Sequence, residues 1–258
     1  MKNNRRAFIK LAGIAAAGLA IAPKVMASGG GASPVKKNPE GIDAKHWGMV
    51  IDTTKLNTAA DIEKLGAICH SIHNVPHIEG KQEVKWLWAA PYGQTFTEQE
   101  NPYLAAEVHE REYALLCNHC EHPSCVRVCP TKATYKRADG IVAMDYHRCI
   151  GCRYCMAACP YGSRSFNWGE PRKGLDLSKL NNEFPTRMRG VVEKCNFCVE
   201  RLAVGKLPAC AEASEGAIIF GDLSDPNSDV RKVLRERFTI RRKPTAGTEP
   251  SVYYIIGE

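Results

Sequence analysis

Two runs of cysteine constrain this chain more than any other feature. Cys149, Cys152, Cys155 and Cys159 are spaced C-x2-C-x2-C-x3-C and close on Pro160. Cys117, Cys120, Cys125 and Cys129 repeat the pattern with two extra residues in the loop and close on Pro130. The shorter run has the bacterial ferredoxin spacing. Three cysteines of a tight loop reach three corner irons of one [4Fe–4S] cube, and the fourth, already turned away, ligates a neighbouring cube. A proline after the fourth cysteine suits that reversal, because it fixes its own φ and moves the preceding residue out of the helical region. Crossing thiolates then assign Cys117, Cys120, Cys125 and Cys159 to one cube, and Cys149, Cys152, Cys155 and Cys129 to the other.

Other uses of cysteine fit less well. Structural zinc takes two separated pairs of ligands, not four cysteines and a closing proline, twice over. Disulfides are permitted in an exported protein, but cysteines this dense and this close in sequence make poor partners. No histidine follows Cys120, so Cys117 and Cys120 are not a c-type haem site.

The chain holds 12 cysteines in all, and four lie outside these runs. Cys195, Cys198 and Cys210 read as the three local ligands of a third cube, with Ser214 where a fourth cysteine would stand. Under the crossing rule the missing ligand comes from a partner motif, and Cys69 is the remaining cysteine. Loss of one cube from a crossed pair deletes three cysteines from one motif and the fourth from the other. That pattern is present: Cys69 kept, its companions gone, Ser214 in place of cysteine. The expected total is three [4Fe–4S] clusters with no cysteine left over. The alternative makes Cys69 a buried free thiol and leaves water or Ser214 as the fourth ligand.

Residues 1–27 open with Lys2, Arg5 and Arg6, continue through a short apolar run and end in Val-Met-Ala, the three-part build of an export signal. Arg5-Arg6-Ala7-Phe8-Ile9-Lys10 resembles a twin-arginine signal. That route carries proteins already folded, which suits a cofactor inserted beforehand, and places the chain in the periplasm. The segment also accounts for most of the net charge of +7, since without it thirty basic residues face twenty-eight acidic ones. Nucleic acid is therefore not an expected partner. The cluster Arg231, Lys232, Arg235, Arg237, Arg241, Arg242 and Lys243 reads as a solvated face.

A polar linker is expected over 28–41, a strand over 46–52 and a helix over 61–72. Short strands are expected over 113–116 and 217–220, and a hairpin over 134–145 turned at Asp139-Gly140. An irregular excursion is expected over 171–190 and an edge strand over 252–255. Val126, Val128, Ile150, Tyr154, Met156 and Phe197, beside the cysteines, are expected to exclude water. His70, His73 and His77 read as packing or surface residues. The fold class is α+β: two ferredoxin-like double-cluster modules with small antiparallel sheets and short helices, one cluster site lost. Residues 113–168 form the central module, and 42–112 with 169–258 form the outer one, the latter part carrying the third motif and the tail.

The stretches HWGMVID, CNHCEHPSCVRVCPTKA, CIGCRYCMAACPYGSR, VVEKCNFCVERLAVGKLPAC, FGDLSDPNSDV and GTEPSVYY resemble the four-cluster, ferredoxin-like electron-transfer subunits of membrane oxidoreductases of the dimethyl sulfoxide, polysulfide and nitrite reductase type. With one cube missing and an export signal, the chain is most similar to the periplasmic iron–sulfur subunits of Dsr-type, sulfite-reduction-associated complexes. The resemblance implies an integral membrane quinone-interacting subunit as partner, a multihaem cytochrome c nearby, and membrane association through these partners. It implies an electron-transfer role rather than a catalytic one, and the sequence shows no nucleophile–base pair. Two other readings are a free periplasmic ferredoxin-type carrier, which would copurify with no membrane protein, and a zinc-stapled module, which would be colourless.

Overall fold

A computed structural model describes residues 38–257. The expected export signal over 1–27 and most of the expected linker lie outside them. In chain order the first elements are β1 (Trp47–Asp52), α1 (Ala59–Ile72), β2 (Leu87–Pro91), α2 (Tyr92–Thr95), α3 (Ala106–Glu110) and β3 (Glu112–Leu116). The cysteine runs follow, with α4 (Ser124–Arg127), β4 (Thr134–Lys136), β5 (Val142–Met144) and α5 (Tyr154–Ala157). Then come β6 (Ser165–Phe166), β7 (Val192–Glu193), α6 (Val199–Leu202) and α7 (Ala209–Glu212). The last elements are β8 (Ile218–Asp222), α8 (Asp229–Glu236), β9 (Thr239–Ile240) and β10 (Val252–Ile255). Small sheets and short helices make this an α+β fold.

The largest sheet has the order β8-β1-β10-β9. Every residue of β1 is buried, which is why WGMVID carries apolar side chains on both faces. Met49 and Ile51 face the main core. On the other side Val50 and Ile255 pack with Val230 of α8. That helix starts where the Ser228 hydroxyl accepts the Arg231 N–H at 3.3 Å.

One expectation is corrected here. β10 is not an edge strand: it runs parallel to β1, Met49 opposite Val252, and antiparallel to β9, Tyr254 opposite Ile240. The edge belongs to β9, two half-exposed residues too short to show an alternating pattern. A second correction concerns the basic cluster. Arg242 is buried, donates from Nε to the Thr95 carbonyl at 3.0 Å and lies over the Tyr161 ring. It therefore belongs to the packing rather than to a solvated face.

α1 begins two residues before the expected start. The Thr58 hydroxyl accepts the Asp61 N–H at 3.2 Å and caps it. Its inward face is Ile62, Leu65, Gly66 and Cys69. Gly66 permits close approach to β2, because a Cβ there would stand 3.1 Å from the Leu87 carbonyl oxygen. The hairpin β4–β5 turns as expected, with Gly140 at φ 83° and its N–H on the Arg137 carbonyl at 3.1 Å. Residues 171–190 hold only two short 3₁₀ turns. Among the described residues no helix is long and apolar enough to cross a membrane.

Candidate metal centres

The cysteine loops share one backbone feature. The residue before the second cysteine is left-handed in all three: His119 at φ 41°, Gly151 at φ 70° and Phe197 at φ 56°. His119 and Phe197 have a Cβ and hold this conformation at a cost of about 1 kcal/mol or more. Such strain persists where the loop must wrap something. At Gly151 no side chain would fit, because a Cβ would meet the Gly190 carbonyl oxygen at 2.5 Å.

The structure brings together Cys117, Cys120, Cys125 and Cys159. The Ser124 hydroxyl donates to the Ala158 carbonyl at 2.6 Å and ties the two loops at the crossing point. Burial, reinforced by the neighbouring Cys117, pushes the Cys120 thiol up to about 12, and Cys125 and Cys159 add to it. Cys129, Cys149, Cys152 and Cys155 line one cavity together with Thr134 and Val192. α1 sets Cys69 among the remaining three. Burial, then repulsion from Cys195, Cys198 and Cys210, holds the Cys69 thiol well above the usual range.

The same helix offers no ligand for a further cube. Counting back from Cys69 by the ferredoxin spacing, the positions that such a motif would use are Ala59, Ile62 and Leu65. All three lie in an unbroken helix with no left-handed residue, and Ile62 and Leu65 are buried in the main core. Ser214 is committed elsewhere. Its hydroxyl donates to the Ala211 carbonyl at 2.8 Å and accepts the Ile218 N–H at 2.9 Å, closing the turn between α7 and β8.

Between the sites lie buried polar side chains that neither spacing nor periodicity singles out. Arg164 is buried and opposes Cys125, Cys155 and Cys117. Burial works to lower its pKa, and those thiolates together outweigh it and raise it. Its Nη2 has no nitrogen or oxygen hydrogen-bond partner among the described residues. His119 stacks on Phe197 at 3.7 Å between ring centroids, and its Nδ1 accepts the Val142 N–H at 3.1 Å. Burial first, then Lys194 and Arg164, push its pKa well below the usual range, so the ring is neutral. Lys194 donates to the carbonyls of Val142 and Cys195.

Beside the third site, His73 is buried, as a packing residue should be. Its ring stacks on Trp86 and bonds Glu200 Oε1 at 2.7 Å. His73, Cys198 and Glu200 thus converge, with the imidazole and carboxylate already paired to each other. Arg187 and Glu193 form an ion pair with both side chains fully buried.

Water exclusion holds for only part of its expected set. Phe197 is 1% exposed, and Val126 and Met156 pack on the cluster-lining residues. Ile150 and Tyr154, by contrast, are 67% and 63% exposed. Ile150 lies in the loop between Cys149 and Cys152, and Tyr154 opens α5 just after it.

The donor set fits iron–sulfur cubes. Twelve cysteines form no disulfide although they crowd together, and most are buried thiols whose deprotonation requires a cationic metal centre. The partnerless Nη2 of Arg164 and Nε2 of His119 point to anionic cofactor atoms close by.

The 4Fe-4S dicluster domain family matches residues 111–173. The chain is similar to the Hdr-like menaquinol oxidoreductase iron–sulfur subunit 1 of Archaeoglobus fulgidus, at 41% identity covering 97% of each sequence. It is similar to the menaquinone reductase iron–sulfur cluster-binding subunit of Nitratidesulfovibrio vulgaris, at 37% identity over 81% of this sequence and 88% of that one. The B subunit of the polysulfide reductase of Wolinella succinogenes is 33% identical over 82% of this sequence and 95% of its own.

Proposed function

The protein belongs to the family of iron–sulfur electron-transfer subunits of membrane quinone oxidoreductases, and from that premise we propose that it relays single electrons through three [4Fe–4S] clusters between a quinone-interacting membrane subunit and a periplasmic redox partner. The observation that carries the count is Cys69, delivered by α1 to Cys195, Cys198 and Cys210. Cys117, Cys120, Cys125 and Cys159 hold another cube, and Cys129, Cys149, Cys152 and Cys155 the remaining one. Each cube supplies a one-electron couple whose potential depends on net charge, hydrogen bonds and exposure.

The protein's own residues position and tune. Cys125 neighbours Cys155 of one set, and Cys117 neighbours Cys195 of another, so the Cys117 set lies in the middle of a line. Arg164 stands at the first junction and the His119–Phe197 stack at the second. A buried guanidinium favours the reduced, more negative form of its neighbours, and the neutral imidazole adds no charge. The Cys69 end is sealed by Ile62 and Leu65, so the relay stops there rather than continuing to a fourth cube.

The twin-arginine-like segment supports export and a periplasmic location, with residues 28–41 as a tether. The two modules interleave, 42–112 and 169–258 enclosing 113–168. The relatives named as menaquinol oxidoreductase and menaquinone reductase subunits support a quinone-interacting membrane partner. The single export signal and the missing cube favour a sulfite-reduction-associated complex with a multihaem cytochrome c. Anaerobic iron and sulfide counting tests the relay: about twelve irons per chain are expected from three cubes. Cys69→Ser should damage one cube selectively, and unchanged iron and spectra in that variant would remove Cys69 from the ligand set.

A further inference from the structure

The stretch GTEPSVYY carries no cysteine, yet the fold sets its opening residues beside the Cys117 set. Residues 248–251 lace onto the loop that carries Cys120. The Glu121 N–H donates to the Glu249 carbonyl at 2.8 Å, and the His122 N–H to the Thr248 carbonyl at 3.0 Å. The Ser251 N–H returns to the Asn118 carbonyl at 2.9 Å. The tail bends sharply to do this: Gly247 and Glu249, on either side of Thr248, are left-handed at φ 64° and 49°. Glu249 has a Cβ, and such a conformation persists only where its surroundings enforce it.

Thr248 is buried, and its hydroxyl lies 2.5 Å from that of Tyr161, itself buried two residues beyond Cys159. Burial acts most strongly to raise the Cys120 thiol, and a hydrogen bond from Thr248 works against it. Each hydroxyl has one hydrogen to give, so the direction of the Tyr161–Thr248 bond matters. A phenol is the better donor of the two. The Arg242 guanidinium, 5.5 Å from the centroid of the Tyr161 ring, strengthens it further by favouring negative charge on the phenol oxygen. Tyr161 therefore donates to Thr248, and the threonine hydrogen is left for Cys120.

We propose that Tyr161 and Thr248 form a two-hydroxyl chain ending on the Cys120 sulfur, and that this chain raises the reduction potential of the cube held by Cys117, Cys120, Cys125 and Cys159. The proposal rests on the relay reading above and deepens it, with Tyr161 as a positioning residue that acts through Thr248. A donor on a ligating sulfur favours the reduced form, which carries one more negative charge. Only the electron moves, and both hydroxyls keep their hydrogens. In a line of three the middle couple is crossed by every electron, so a device placed there acts on transfer in either direction.

The test is a redox titration of the full-length protein followed by paramagnetic resonance, with iron counted on the same material. Thr248→Val should shift the middle couple to lower potential and leave the Cys69 couple unmoved. Thr248→Ser, which keeps the hydroxyl, should restore it. Tyr161→Phe should give a smaller shift in the same direction, and no further shift when added to Thr248→Val. In heavy water the reduced protein should show an exchangeable deuteron coupled to the electron spin, which Thr248→Val removes and Thr248→Ser retains. Tyr113→Phe is the control: it deletes a buried hydroxyl bonded to the Val108 carbonyl at 2.7 Å and should leave all three potentials in place. An unchanged middle potential in Thr248→Val, equal shifts in all three couples, or no recovery in Thr248→Ser overturns the proposal. So does a deuteron signal indifferent to Thr248→Val, or a double variant whose shift is the sum of the single ones. If Thr248→Val fails to hold iron, Tyr161→Phe decides: a lowered middle potential supports the chain, and an unchanged one overturns it. Wild-type protein with fewer than about twelve irons fails the relay reading itself; full iron with any overturning result removes the hydroxyl chain alone.

Discussion

Replacing Arg187 with methionine should be among the most damaging single changes outside the cysteines. Its guanidinium donates from Nε to Glu193 Oε2 at 2.8 Å and from Nη2 to the Asn74 carbonyl at 2.7 Å. Nη1 serves the carbonyls of Pro185 and His73. Methionine fills much of the volume but strands the Glu193 carboxylate, left with only the donors of Trp86, at 3.0 Å, and Asn167. Breaking a fully buried pair on one side costs about 3–5 kcal/mol, since the remaining charge cannot reach water. Removing both charges costs less than the two single changes together: Arg187→Met with Glu193→Met uncovers the same carbonyls as Arg187→Met alone and leaves no buried carboxylate stranded, adding only the neutral donors of Trp86 and Asn167. The two changes should therefore be strongly non-additive, with a coupling of about 2 kcal/mol or more. Because loss of an iron–sulfur centre is irreversible, the assay is the anaerobic rate of colour loss in guanidinium, read as kinetic stability. If the pair is broken in the transition state, a loss of about 3 kcal/mol accelerates bleaching about a hundredfold. Arg187→Met bleaching at the wild-type rate, or a double variant as fast as the two single effects multiplied, would refute the reasoning.

Arg164→Met should lower the midpoint potentials of the two cubes whose cysteines it faces, leaving the Cys69 cube unmoved, as followed by redox titration with paramagnetic resonance; equal shifts in all three would show a global effect instead. Ser214→Cys should not raise the iron count, because Ala59, Ile62 and Leu65 supply no partner thiolates; it should instead cost about 1 kcal/mol by weakening the hydroxyl's two hydrogen bonds. Asp222 accepts the N–H groups of Lys45 at 2.9 Å, His46 at 3.0 Å and Ser224 at 2.8 Å. Burial acts to raise its pKa and these donors outweigh it, so the folded value is lowered from the usual carboxylate range. The stabilisation is present above the unfolded carboxylate pKa and is lost as pH falls through the folded one. Acid melts of Asp222→Asn should accordingly converge with wild type at low pH and fall below it near neutrality.

The cysteine spacing by itself pointed to the chemistry and to which thiols the fold brings together, because a cube of fixed size admits few loop lengths. The strands at 47–52 and 218–222 and the hairpin at Gly140 were legible for the same local reasons: apolar runs, turn residues and period. What surrounds the cubes was decided only in three dimensions. Arg164, Arg187, Glu193 and Lys194 carry charges that a one-dimensional pattern assigns to the surface, and they are buried because the fold sets groups against them, such as the His73 and Asn74 carbonyls on Arg187 and the Val142 carbonyl on Lys194. Ile150 and Tyr154 are apolar and adjacent to cysteines, yet exposed, since burial depends on what packs over a loop rather than on what the loop contains. β10 entered the sheet interior because two residues at 239–240 return to pair with it, a contact whose energy comes from tertiary closure and leaves almost no local signature.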